Sequence, residues 1–291
     1  MSGQLTRTAI AAQPEWLREM TERVGERRFP DGARVLFTGC GTSFHAALAS
    51  GQAAQALEVV LGNAPEADVL VAVSHGGGTR LTLEAIEAFV GETWLITGAS
   101  ESPLARAVDH VVVATPQVEK SYCHTASYTA AIAAGRALQG EDVGGLVDAV
   151  ERELAADPLL VSEHDRFVVV GAGPDLPTAF EAVLKLREGA HVAAEAHHTE
   201  QLLHGHLAAI DDSVRCFVLE GEGRALERAR DVVGALAELG CETTLLPTSH
   251  PVVDIVRFQR LTVALAEARG VDPDLIRWDE GPWDRARKSY T

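Results

Sequence analysis

Lys185 and Glu188 stand three residues apart within segment 181–206, EAVLKLREGAHVAAEAHHTEQLLHGH, which also holds Arg187, Glu195, Glu200 and five of the eleven histidines. Its first half has helical apolar spacing, with Ala182, Val183, Leu184 and Leu186 among the charges. Residues three apart on a helix emerge on one face. A carboxylate held beside a cation in a pocket can serve as a general base that moves a proton. On a solvated surface the same spacing is only an ion pair. Lysine usage sharpens the question, because the 25 basic residues include only Lys120, Lys185 and Lys288. Burial can tune an ammonium, whereas a guanidinium always stays charged.

The elements that must position this pair read as alternating strands and helices. Segment 14–24 has helical spacing, with Trp16, Leu17 and Met20 on one side. Segment 33–38 (ARVLFT) is a buried-type strand running into Gly39-Cys40-Gly41-Thr42-Ser43, with a helix expected over 44–57. A strand, a glycine-rich turn and a helix start together present backbone N–H groups to a phosphate. Phe44 stands where the dinucleotide fingerprint needs glycine or alanine, so that fingerprint fails. The unit repeats in strand 68–73, the turn Ser74-His75-Gly76-Gly77-Gly78-Thr79 and a helix over 81–90. Strands at 93–97 and 110–114 and helices at 125–138 and 141–155 follow.

After a linker at 156–165, a second round opens with strand 166–170, Gly171-Ala172-Gly173 and a helix from about Pro177. Strand 214–219, the turn Glu220-Gly221-Glu222-Gly223, helix 225–239, strand 241–246 and helix 258–269 complete it. This alternation predicts an α/β protein of two tandem doubly wound, flavodoxin-like parallel-sheet subdomains. The expected division is a helical segment 1–30, a first domain 31–155, a second domain 156–277 and a tail 278–291. Two glutamates in the second round's turn make it a poor anion site, so an anion is expected in the first.

Composition narrows the function classes. A formal charge of −17 argues against a nucleic-acid surface. No apolar run approaches membrane-spanning length, and nothing at the start resembles a signal peptide. Cys40, Cys123, Cys216 and Cys241 lie far apart with no CxxC pair, which points to reduced thiols and a cytoplasmic setting.

Taken together, CGTSFHA at Cys40, SHGGGT at Ser74, EKSYCHTASYTA at Glu119, GAGPDLPTAFEAVLKLREGAHVAAEA at Gly171, LLHG at Leu202 and RKS at Arg287 resemble the sugar isomerase (SIS) family. The likeness is to the isomerase half of glucosamine-6-phosphate synthase and to stand-alone phosphosugar isomerases and deaminases, and it covers nearly the whole chain. It implies a cofactor-free aldose–ketose isomerase, in which Glu188 moves a proton between sugar carbons C1 and C2. By the same likeness His204 opens the sugar ring, often from a partner subunit, Lys288 belongs to a tail closing over the sugar, and Lys185 matches a lysine beside the glutamate. Lys185 or a helix N-terminus is expected to stabilise the oxyanion. Gly41, Thr42, Ser43, Ser74, His75, Gly77, Thr79 and Thr125 fall on the substrate- and phosphate-binding stretches. A homodimer with shared active sites is implied as well. Glu181, Glu195 and Glu200 are read as bystanders.

The departures matter too. The family's phosphate loop reads Ser-Gln-Ser-Gly-Glu-Thr, and here His75, Gly76 and Gly78 replace three of those residues. Tyr122 and His124 stand where small residues are usual, which should reshape the sugar pocket. His197, His198, His204 and His206 with Glu195 and Glu200 have ligand-like spacing, but polar contacts explain them better than a metal. A turn residue explains Cys40 better than a nucleophile. The rival class is a non-catalytic sugar-phosphate regulator, and isomerase and deaminase remain open alternatives.

Overall fold

A computed structural model describes residues 2–290. The elements in chain order are α1 (Gln4–Val24), β1 (Val35–Gly39), α2 (Thr42–Ser50), β2 (Ala53–Gln55), α3 (Ala56–Val60), β3 (Val69–Val73), α4 (Arg80–Ala88), β4 (Glu92–Thr97) and β5 (His110–Val113). There follow α5 (Ala126–Leu138), α6 (Leu146–Ala155), β6 (Arg166–Gly171), α7 (Leu176–Ala190), β7 (Ala193–His198), α8 (Thr199–Leu203), β8 (Val214–Leu219), α9 (Arg224–Glu238), β9 (Glu242–Leu246), α10 (Pro251–Arg269) and α11 (Gly281–Lys288).

The strands form two wholly parallel sheets, ordered β2-β1-β3-β4-β5 and β7-β6-β8-β9. Such sheets need helices on both faces, so their strands are apolar without alternation; all five residues of β3 are buried. The first order is flavodoxin-like, with its switch point between β1 and β3, where ligands bind beyond the strand ends. The second sheet repeats that order with one strand fewer. The expected doubly wound tandem is therefore the fold.

Several boundaries move. The helix expected over 44–57 ends at Ser50, and the chain then forms β2 at the sheet edge. Strand β7, unforeseen, forms the corresponding edge of the second sheet. Helix α1 begins ten residues before Pro14, at Gln4. Its free N–H groups are held by carboxylates from the far end of the chain: Asp272 accepts from Gly3, and Asp274 accepts from Leu5 and Thr6. Helix α10 begins at Pro251 rather than Phe258, and the tail contains α11.

One core cluster runs from Leu17 and Phe37 of the first half to Phe217 and Phe258 of the second. Helices α7 and α10 pack on each other, and α7 also packs on α2. Helix α7 therefore belongs to the second sheet but faces the first sheet's switch point. Among the described residues no helix is long and apolar enough to cross a membrane.

Candidate active site

A cavity of about 250 Å³ opens beyond the carboxyl ends of β1, β3 and β4. Gly39 ends β1 where a Cβ would sit 2.9 Å from the Ser43 carbonyl and 3.0 Å from the Val73 carbonyl. Only glycine lets α2 start this close to the strand ends. The wall then carries Gly41, Thr42 and Ser43 from the first turn and Ser74, His75, Gly76 and Thr79 from the second. Neither α2 nor α4 has a side-chain cap at its N-terminus. Their free N–H groups and dipoles favour an anion at this end.

The carboxylate comes from α7. Glu181, Lys185 and Glu188 sit at i, i+4 and i+7, one face of the helix. Lys185 and Glu181 have fully buried side chains, while that of Glu188 is 25% exposed, into the cavity it lines. Lys185 Nζ donates to Glu188 Oε2 at 2.7 Å, to Thr42 Oγ1 at 3.1 Å and to the Cys123 carbonyl at 3.3 Å. It also lies 3.3 Å from Glu181 Oε1. Burial pulls the Lys185 pKa down, but the two carboxylates outweigh it and hold the ammonium above its ordinary value. Lys185 is therefore a permanent cation, and its three donors are all engaged. Burial raises the Glu188 pKa, with Lys185 opposing the shift, so Glu188 is a stronger base than a solvated carboxylate.

Glu181 is no bystander. It accepts from Thr42 Oγ1 at 3.1 Å and faces His45 Nδ1 at 2.8 Å. The Thr42 hydroxyl thus lies within the carboxylate–ammonium network, leaving its helix-start N–H for a ligand. Removing one member of such a buried set strands its partners as uncompensated charges.

The opposite wall is built on Glu119, which is buried. Its carboxylate accepts from the Thr125 N–H and hydroxyl and from the Ser127 N–H, the free donors at the start of α5. Thr125 is accordingly a support for Glu119 and does not line the cavity. His75 Nε2 accepts from the Glu119 N–H at 2.6 Å. Burial, reinforced by neighbouring His124, lowers the His75 pKa to about 4; burial lowers that of His124 as well. Both imidazoles are neutral near pH 7, so His75 supplies no cation for a phosphate. Gly77 also differs from expectation: it turns away from the cavity, and a Cβ there would lie 2.0 Å from Ser102 Oγ.

Tyr122 and His124 line the cavity, as does a strap formed by Ile276 and Trp278. The Tyr122 ring lies 4.2 Å from that of Trp278, and Arg287 covers Trp278 at 4.4 Å. Ile276 and Arg277 have φ of 45° and 64°, a left-handed conformation costly for a branched residue. Asp274, tied to the start of α1, anchors this turn.

Lys288 and His204 stand outside the cavity lining of their own chain. Lys288 is 65% exposed and pairs with Asp284 at 2.7 Å; His204 is 73% exposed and lies 3.3 Å from Glu200. His197 stacks near His206, with ring centroids 4.3 Å apart. Among the described residues no group of His, Cys, Asp and Glu is arranged to hold a metal. Cys40 lines the cavity beside Thr82, 3.8 Å from its hydroxyl.

No protein-family model matches the chain. It is 29% identical over 307 residues to a glutamine–fructose-6-phosphate aminotransferase (isomerizing) of Aeropyrum pernix, covering 84% of this chain and 50% of that protein. The enzyme of the same name from Methanothermobacter thermautotrophicus is 27% identical, with 88% and 51% covered. The chain thus spans about half the length of the curated relatives it matches. Among solved structures, the C-terminal domain of glucosamine-fructose-6-phosphate aminotransferase from Francisella tularensis has the same fold, with a TM-score of 0.76 and 19% identity over 93% of this chain and 98% of that one. Glucosamine-6-phosphate deaminase from Thermotoga maritima gives a TM-score of 0.73 at 22% identity, with 94% and 97% covered. Tagatose-6-phosphate ketose/aldose isomerase from Escherichia coli gives 0.71 at 18%, with 94% and 95% covered. Motifs, curated relatives and fold converge on one likeness, that of the chain to the isomerase half of glutamine–fructose-6-phosphate aminotransferases and to the fold of phosphosugar isomerases and deaminases.

Proposed function

We propose that the chain is an aldose–ketose isomerase for a phosphorylated sugar or amino sugar, with Glu188 as the proton-moving base. One observation carries this reading: a carboxylate exposed to an otherwise uncharged cavity, fixed 2.7 Å from a fully buried lysine. The phosphate binds at the polar end, to the hydroxyls of Ser43, Ser74 and Thr79 and the free N–H groups of α2 and α4. The open-chain sugar then lies across the strand ends toward Glu188. The Glu188 carboxylate takes the proton from C2, and the electrons of that C–H bond form the C1–C2 double bond of an enediolate. Proton transfer between the two oxygens moves the carbonyl from C1 to C2, and Glu188 returns its proton to C1.

Lys185 has no donor to spare for an oxyanion. Its part is to fix Glu188, while the α2 N-terminus stabilises the developing charge. His204 and Lys288 complete the site in a homodimer, with His204 serving the neighbouring chain's cavity. The deaminase likeness fits the same machinery, since ammonia release from an amino sugar begins with the same proton shift. A non-catalytic regulator would keep the cavity without needing a tuned carboxylate.

The test is a panel of hexose, pentose and amino-sugar phosphates followed by NMR, with light scattering on the same sample. One aldose–ketose pair should interconvert, or one amino sugar should release ammonia, on a dimer. Binding without any turnover would leave the regulator reading, and a fully active monomer would remove the shared site.

A further inference from the structure

The cavity floor contains a polar group that the proton-transfer machinery does not use. Tyr128, in the first turn of α5, lines the cavity and is 1% exposed. Its Oη is buried with no hydrogen-bond partner among the described residues. Buried tyrosine hydroxyls nearly always find a partner, because a desolvated O–H without one is costly. The same cavity lining includes Ala46, Val73, Ile96, Ala114 and Ala131, all buried and none able to accept a hydrogen bond from its side chain, beside the buried hydroxyls of Ser74, Thr97, Thr115 and Ser127.

Resting on the reading of this cavity as a sugar-phosphate site, we infer that Tyr128 Oη donates a hydrogen bond to an uncharged oxygen of the bound sugar and so helps determine which sugar is accepted. The phosphate itself does not fit the floor. No lysine or arginine is among the lining residues, and a desolvated anion against alanine, valine and isoleucine would lack compensation. The hydroxyls and helix starts that suit phosphate lie at the more open end, where Gly41, Gly76 and Thr79 are exposed. Burial holds the phenol pKa well above its ordinary value, so Oη stays protonated and acts as a donor throughout the working pH range. Of the buried hydroxyls in this lining, Thr97 donates to the His75 carbonyl and Thr115 to the Gln117 carbonyl, whereas Tyr128 Oη is left without a partner, so it suits one sugar hydroxyl or carbonyl oxygen and the carbon bearing it. This contact also gives a reason for tyrosine rather than phenylalanine in a helix whose other buried residues are mostly alanines.

Tyr128→Phe removes only this oxygen. Because Oη has no partner in the ligand-free protein, the variant should melt no lower than wild type. Affinity is then measured for glucose 6-phosphate, fructose 6-phosphate and the 2-, 3- and 4-deoxy forms of glucose 6-phosphate. Wild type should bind the parents about tenfold more tightly than the variant, the effect of one hydrogen bond. One deoxy form should bind wild type more weakly than its parent, while the variant should treat the two alike. The contact is overturned if Tyr128→Phe binds the parents as wild type does, or if both proteins discriminate every deoxy form equally. A wild type that binds neither parent overturns the contact to a hexose 6-phosphate, while the wider sugar-phosphate reading stands or falls on the panel above.

Discussion

Beyond β1 and β3 the crevice is lined by Gly41, Ser43, Ser74 and Thr79, while beyond β6 and β8 the corresponding turns carry Asp175, Glu220 and Glu222. Both switch points rest on the same backbone device. A Cβ at Gly39 or at Gly171 would meet the backbone four residues on at 2.9 to 3.0 Å. In the second half the polar groups satisfy one another: Thr248 donates to Asp175 and accepts from the Gly221 N–H. Burial raises the Asp175 pKa, and nearby Glu222 adds to the effect. Duplicated topology therefore supplies two crevices, and only the turns of the first, among the described residues, are free of carboxylates. The second half instead presents α7, with Glu181, Lys185 and Glu188, to the first.

The strongest way to break this comparison is to remove the cation that α7 presents. Lys185→Met leaves Glu181 and Glu188 buried without it and should cost about 3–5 kcal/mol in urea denaturation. Adding Glu181→Gln should recover part of that loss. A single variant as stable as wild type would mean that the two halves are not joined through this network.

Acid titration separates the halves next. His75 has a folded pKa of about 4 against 6.5, so its neutral form is favoured by folding. That stability is present above pH 6.5 and is lost as pH falls toward 4. Asp254, raised by burial to about 6 from 3.8, behaves oppositely. Its contribution is present below pH 4 and is lost as pH rises through 6. Each change is about 3 kcal/mol at 1.36 kcal/mol per pKa unit. Relative to wild type, His75→Gln should therefore lose less stability on acidification, and Asp254→Asn should lose less as pH rises from 4 to 6.5. Parallel curves for all three proteins would refute the contrast.

The smallest expected effect is in the second crevice. Asp175→Asn should alter turnover no more than about twofold, under about 0.5 kcal/mol in activation free energy. A tenfold loss would place part of the site there.

Legibility in the sequence followed the range of the interactions. Strand β3 was readable because DVLVAV is one continuous apolar run. Strand β2 has three residues, and β7 reads AAEAHH, with no β-branched residue to mark it. The early start of α1 depends on Asp274, 268 positions from its Thr6 partner. The Lys185–Glu188 pair was readable because it is local. Its surroundings were not: Glu181 resembled a surface charge on the same helix until Thr42 and His45, 139 and 136 positions away, closed around it. Its i, i+4 spacing from Lys185 was the one local signal. Glu119, Tyr128 and Trp278 likewise acquire their roles only where the sheet brings distant turns together.

Solvent exchange by a Glu188→Gln variant tests the central claim most directly. Gln is nearly isosteric but cannot take a proton from carbon, and losing a positioned general base typically lowers the rate by ~10²–10⁴. In deuterated water with the substrate found by the panel, wild type should incorporate deuterium at the carbon beside the carbonyl. The variant should keep its fold and its ligand affinity yet incorporate almost none. Exchange by Glu188→Gln at the wild-type rate would contradict the account and move the base elsewhere.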